Sequence, residues 1–192
     1  MRILLLYANP VATSFGASLH AEVKSALSRH DLDDCDLYAE RFDPVLSEDE
    51  RVNYNDQSVN RRHVSSYADR LLAAEGLVFV FPVWNQGFPA ILKGFIDRVF
   101  IPGVAFVIDG SGATKPALKK CQKIGCVCTY GADRLSTLVL GDPTRRVVKR
   151  MLRAIPGHRV TCDYLALYDL NHASENRLRN FSSQVAETFE RW

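Results

Sequence analysis

Phe81-Pro82-Val83-Trp84-Asn85-Gln86-Gly87-Phe88-Pro89-Ala90-Ile91-Leu92-Lys93-Gly94-Phe95-Ile96-Asp97-Arg98-Val99-Phe100 decides how this chain is read. It opens at the end of an apolar run, Gly76-Leu77-Val78-Phe79-Val80-Phe81, which Pro82 stops. A run so rich in β-branched and aromatic residues predicts a strand buried on both faces. The loop that follows carries Trp84, Asn85 and Gln86. An indole and two carboxamides offer a flat apolar wall and hydrogen bonds, which suits a planar polar ring. Pro89 suits a helix start, where its missing N–H costs nothing. Ile91, Leu92, Phe95, Ile96, Val99 and Phe100 follow at helical spacing. Buried strand, aromatic-polar loop and helix, in that order, put the loop where open α/β sheets hold ligands. Taken alone, the loop is equally a plain connection with one packing Trp.

The flanking sequence repeats the alternation. Arg2 to Tyr7 predicts a first buried strand, Ala8 to Ser18 a small polar turn, and Ser18 to His30 a helix with Leu19, Val23, Ala26 and Leu27 on one face. Asp36 to Phe42 predicts a second strand, less apolar, as an edge strand is. Asp43 to Asp56 is long, polar and irregular; it covers a site or a partner, or is a solvated excursion. A helix follows over Ser58 to Ala74. Ile101 to Gly112 reads as a hairpin-like excursion and Lys115 to Lys120 as a basic turn. Lys123 to Thr129 predicts the fourth strand, opening into Tyr130 and Gly131. Asp142-Pro143 is an N-cap with proline at the first helical position, starting a helix that carries Val147, Val148, Met151 and Leu152. Arg159 to Tyr168 predicts a fifth strand and Ser174 to Trp192 the closing helix. Five strands alternating with helices predict one α/β domain over residues 1–192, a doubly wound parallel sheet covered on both faces.

Composition narrows the function. Lys and Arg number 24 against 22 Asp and Glu, a net charge of +2, which supports neither a nucleic-acid nor an acidic partner. Five cysteines in unpatterned positions make no disulfide framework and point to a reducing, cytoplasmic setting. The apolar start, Met1 to Tyr7, runs into Asn9-Pro10 without a cleavage pattern and reads as a strand, not a signal peptide. No run reaches the length of a membrane span. Cys121, Cys126 and Cys128 lack further ligands at zinc spacing and read as small core residues, so no metal is expected. His20, His30, His63, His158 and His172 are scattered, and Ser14 lacks a nucleophile-elbow context.

In a doubly wound sheet the first, third and fourth strands end side by side. Those ends carry Asn9 to Ser18, Pro82 to Gly87, and Thr129 to Gly131. Thr13 and Ser14 precede a helix, whose unpaired N–H groups and dipole can hold a phosphate, and Gly16 lets backbone wrap closely around an anion. An ordinary Ser/Thr cap accounts for the same residues. Neither a Walker-type lysine nor a G-x-G-x-x-G is present.

Pro89 to Phe100, together with Thr13-Ser14-Phe15, Ser18-Leu19, Ile101 to Phe106 and Leu165-Ala166-Leu167-Tyr168, resembles the NAD(P)H:quinone oxidoreductases of the flavodoxin-like superfamily, the DT-diaphorase and modulator-of-drug-activity group. The resemblance implies a flavodoxin-like five-stranded sheet in the order 2-1-3-4-5. It implies FMN as cofactor, with FAD as the alternative, and NADPH or NADH as co-substrate. Flavin phosphate would be held by Thr13, Ser14, Phe15, Gly16 and Ser18, with Asn9 alongside. Pro82, Val83, Trp84 and Asn85 would lie against the ring, and Thr129, Tyr130 and Gly131 would close its other side. Hydride would pass by a ping-pong route to a quinone or similar acceptor. The chemistry is centred on the flavin, and Tyr130 is the one candidate catalytic side chain. Lys93 and Arg98 fit scaffold and surface pairing better than phosphate binding. The chain departs from the family in having Asn9 where His is common and Gly16 where Asn is common. A homodimer with the flavin near its interface is also implied. The rival readings are an FMN reductase or azoreductase, and a flavodoxin-like regulatory subunit of a potassium efflux system.

Overall fold

Leu4, Leu6 and Phe79 are buried on one face of a central sheet, and Leu5, Val78 and Val80 on the other. Strands apolar on both faces need helices on both, and that requirement sets the architecture. The computed structural model describes residues 1–157 and 160–192. Its strands are β1 (Arg2–Tyr7), β2 (Asp31–Asp36), β3 (Gly76–Val83), β4 (Phe106–Ile108), β5 (Thr114–Pro116), β6 (Lys123–Tyr130) and β7 (Thr161–Leu167). β4 and β5 pair as an antiparallel hairpin apart from the sheet. The other five are parallel, in the order β2-β1-β3-β6-β7, which is the implied 2-1-3-4-5 once the hairpin is set aside.

The helices are α1 (Phe15–Ala26), α2 (Glu48–Val52), α3 (Ser65–Ala73), α4 (Ala90–Val99), α5 (Arg134–Val139), α6 (Pro143–Arg146), which continues as a π-helical turn over Val147–Leu152, and α7 (Glu175–Glu190). Leu19 and Val23 of α1 join Phe181, Val185 and Phe189 of α7 on one face. Ala68 and Leu71 of α3 join Leu92, Phe95 and Val99 of α4, with Val148 and Leu152, on the other.

Several boundaries differ from the expectation. β2 occupies Asp31–Asp36, not Asp36 to Phe42, with Tyr7 registered on Asp36. Its acidic residues are held by charge rather than by apolar burial: Arg70 pairs with Asp33 at 2.7 Å, and His20 with Asp34 at 2.8 Å. Hydropathy therefore hides the strand. Past it, the Asp36 side chain accepts from Tyr38 N and Ala39 N and turns the chain. β3 runs through Pro82 to Val83 instead of stopping at the proline. α1 begins at Phe15, because Ser14 caps it by accepting from Ala17 N at 3.1 Å, and it ends at Ala26, short of His30. α3 covers only the end of the expected Ser58 to Ala74; ahead of it, buried Asn60 donates to the carbonyls of Tyr54 and Pro102. Lys115 and Pro116 of the expected basic turn belong to β5, Thr114–Pro116. The fifth sheet strand is Thr161–Leu167; Arg159, its expected start, and His158 lie outside the described residues.

The segment after Asp43, read as irregular, is ordered against α4. Ser47 and Glu50 form a capping box at the start of α2. Glu50 is buried and accepts from Arg98 Nε at 2.7 Å through one oxygen, and from Ser47 N at 2.9 Å and Ser47 Oγ at 2.7 Å through the other. Arg98 also donates to the Asp43 carbonyl. Burial pushes the Glu50 carboxyl up, but the Ser47 and Arg98 hydrogen bonds outweigh it and hold the group below its ordinary value. Gly94 explains the close approach: a Cβ there would lie 2.3 Å from the Pro44 carbonyl oxygen. Lys93, by contrast, pairs on the surface with Asp97 at 2.6 Å.

Two consequences follow for stability. Arg98→Ala strands a buried carboxylate and should cost roughly 3–5 kcal/mol in denaturant unfolding. Gly94→Ala should cost roughly 1–3 kcal/mol by pushing Pro44 away. Because the folded Glu50 value is depressed, its contribution is complete above the unfolded value of about 4.3 and fades as pH falls through the lower folded value. Stability measured across that acid range should fall less steeply in Glu50→Gln than in the natural chain.

Candidate functional site

β1, β3 and β6 are neighbours and parallel, so their following loops leave the same edge of the sheet. Register aligns Tyr7 with Val80, and Val83 with Tyr130. Chain topology alone thus brings the three predicted loops together.

The first loop is organised by Asn9 and Ser14. Asn9 Nδ2 donates to Ser14 Oγ at 3.0 Å, and Asn9 Oδ1 accepts from Val11 N at 3.0 Å. Ser14 Oγ also caps α1. The first-turn amides of Phe15 and Gly16 precede any helical acceptor, and the first turn holds no acidic residue, so this end attracts an anion. A Cβ at Gly16 would come within 2.8 Å of Asn9 Nδ2. The two departures from the family pattern are therefore one: Asn9 lies across the space that a side chain at position 16 would fill. Thr13 and Ser18 are exposed beside this turn, whereas Phe15 is half-buried and packs against the α1–α7 core.

The second loop is a tight hairpin turn. Trp84 N donates to Gly87 O at 3.1 Å and Gly87 N to Trp84 O at 2.9 Å. Asn85 and Gln86, between them, have φ of 50° and 62°. Left-handed backbone at a non-glycine residue costs about 1 kcal/mol or more and gathers at functional sites. The turn stands the Trp84 ring out, 44% exposed.

The third loop closes a cavity of about 540 Å³ with the second. Pro82, Val83, Trp84 and Asn85 line one side of it, and Thr129, Tyr130 and Gly131 the other. Its lining is both polar and apolar, as a planar heteroaromatic ring requires. Gln86, Ala132, Leu170 and Asn171 also line it. The last two follow β7 in a short 3₁₀ turn, Leu170–His172; that β7 ends beside β6 is the signal that could have found them.

Tyr130 contributes its backbone rather than its hydroxyl. The side chain is fully buried, its OH donating to Asp142 Oδ1 at 2.8 Å and lying 2.6 Å from the Tyr164 hydroxyl. Burial pushes the phenol far above its ordinary value, and Asp142 adds to the rise. A hydroxyl so committed is not placed to exchange protons with a ligand at physiological pH.

Comparison with known proteins agrees with this geometry. The model of the family described as "Flavodoxin-like fold" matches residues 1–155. An uncharacterised NAD(P)H oxidoreductase of Escherichia coli (strain K12), YcaK, is 32% identical over 145 residues, covering 73% of this chain and 69% of that protein. An FMN-dependent NADH:quinone oxidoreductase of Lachnoclostridium phytofermentans is 31% identical over 119 residues, covering 61% of this chain and 58% of that protein. Among solved structures, Smu.1420 from Streptococcus mutans UA159 superposes with a TM-score of 0.86 at 28% identity over 100% of both chains. With its sheet order, its three-loop edge and a family match over most of its length, the chain belongs to the flavodoxin-like fold family.

Proposed function

We propose that this protein is a flavin-dependent NAD(P)H oxidoreductase that uses FMN and delivers electrons to a quinone-type acceptor. One observation carries the reading: a cavity of mixed lining between the β3 and β6 loops, on the edge where the capped start of α1 also emerges. Two relatives, an uncharacterised NAD(P)H oxidoreductase and an FMN-dependent NADH:quinone oxidoreductase, support the same chemistry by name.

The residues fit the group. The first-turn amides of α1 and the hydroxyls of Thr13 and Ser18 would hold a phosphate. Trp84 would wall one face of the ring, while backbone groups of Thr129 and Gly131 would meet its polar edge. When bound, the flavin supplies the redox chemistry, taking hydride from NAD(P)H and passing electrons to the acceptor. The chain orients the reactants, keeps water away and offers fixed N–H dipoles where charge accumulates. No side chain has to move a proton, which agrees with the committed hydroxyl of Tyr130.

We read residues 1–192 as one domain acting as a homodimer in the cytoplasm. No described helix is long and apolar enough to cross a membrane. The five thiols are free, which suits a reducing compartment. The dimer reading rests on an apolar face beside the site. Cavities of about 560 and 380 Å³ share Ile96, Asp97 and Met151, and Leu135, Leu138, Val139 and Leu140, on and just after the helix preceding α6 in the chain, are exposed. A second copy of the chain would cover this surface and roof the ring.

Steady-state turnover separates the reading from its rivals. NAD(P)H oxidation should be fastest with a quinone and slower with free flavin or an azo dye; absence of turnover with all three would leave a regulatory role. Trp84→Ala should weaken flavin binding by about 1–3 kcal/mol, the range for a lost aromatic stack, as read by fluorescence titration. Light scattering should give twice the chain mass, and Leu138→Glu should shift it towards monomer; a natural chain that is monomeric at full turnover would remove the dimer.

A further inference from the structure

Two residues that do not line the ring cavity tie its two walls together. Asp142 and Thr144 sit one on each side of Pro143, at the start of α6. The Asp142 carboxylate, on a residue only 9% exposed, accepts from the Tyr130 hydroxyl at 2.8 Å through Oδ1 and from the Tyr168 hydroxyl at 3.1 Å through Oδ2. Tyr130 belongs to the third loop's strand, and Tyr168 follows β7. Their rings stack with centroids 4.5 Å apart. Two residues on, the Thr144 hydroxyl, on a residue 2% exposed, donates to the main-chain carbonyl of Gln86 at 2.8 Å.

The tie matters because of where it lands. β3 and β6 are hydrogen-bonded to each other as far as Val83 and Tyr130, but the sheet no longer fixes the spacing beyond those residues. Gln86 is in the left-handed region and its side-chain Oε1 is buried without a hydrogen-bond partner, so the side chain does not hold the turn. Asp142 is itself left-handed, with φ of 42°. Strained backbone persists where its surroundings over-determine it. Here the surroundings are one short segment, with a carboxylate on one wall and a hydroxyl on the other.

We propose that Asp142 and Thr144 are positioning residues, a brace that sets the separation of the Trp84–Gly87 turn from the Thr129–Gly131 loop and so the grip on the ring. The inference rests on the flavin reading above. Ionised, the carboxylate accepts from both phenols at once; Asn at this position retains a capping oxygen but presents an amide donor to one of them.

Thr144→Val removes the hydroxyl at constant shape and Thr144→Ser retains it. In the ligand-free protein, hydrogen exchange at the Trp84 and Gly87 amides should quicken about five- to tenfold in Thr144→Val, the effect of one lost hydrogen bond. FMN affinity should fall by a similar factor, about five- to tenfold, and Thr144→Ser should restore both. Asp142→Asn should lower FMN affinity and kcat while leaving the Trp84 turn as protected as before. Unchanged FMN affinity in Thr144→Val, or a loss that Thr144→Ser does not repair, would overturn the brace. If the natural chain binds no flavin, the functional reading fails on its own. The brace is then decided by exchange alone, and unchanged protection of the turn in Thr144→Val removes it.

Discussion

Burial of β3 and its neighbours on both faces is the constraint from which the rest of the structure follows. Leu77 to Phe81 have no face turned to water, so both faces must be covered, and parallel strands returning through helices on both sides cover them here. A parallel sheet delivers every strand-to-helix loop to one edge. The site is thus a by-product of covering the sheet: the loops after β1, β3 and β6 leave one edge because their strands are adjacent and parallel, although they are far apart in the chain.

Charge does the work at the margins where apolar surface runs out. β2 is an edge strand of mostly acidic residues, kept in place by Arg70, His20 and Lys24. The Asp43–Asp56 segment is fastened to α4 by the buried Arg98–Glu50 pair and by the space above Gly94. Asp142 joins two tyrosines across the ends of β6 and β7. In each case, polar atoms taken out of water have their partners supplied locally, the condition under which a buried charge is tolerated. The open apolar surface that remains lies beside the site, along α4 and the π-helical turn.

Where hydrophobic pattern and position agree, the sequence was legible. β1, β3 and β6 were readable from their apolar runs, the helix from Ala90 from its apolar spacing after Pro89, and the start of α6 from Asp142-Pro143. β2 was not, since Asp31–Asp36 contains Leu32 and Cys35 as its only apolar residues, and the ion pairs that hold it join residues distant in sequence. Among the site residues, Pro82 to Asn85 and Thr129 to Gly131 line one cavity. Leu170 and Asn171 escaped notice because nothing local marks them; only strand order brings the end of β7 there. The Tyr130 side chain turns into the core instead of towards the loop, since its hydroxyl has a buried partner that no periodicity reveals, and Phe15 lies half-buried against the α1–α7 core. The Asn9–Gly16 pair is a similar case: each departure from the family pattern makes sense only beside the other.

The proposed activity depends on a flavin seated between the Trp84 turn and the Thr129–Gly131 loop. The visible spectrum of the purified protein, with the mass of whatever is released on unfolding, tests it most directly. An oxidised-flavin spectrum that bleaches anaerobically with NAD(P)H, and a released molecule with the mass of FMN, are the expected result. A colourless protein that leaves FMN and FAD unbound at roughly tens of micromolar would contradict it.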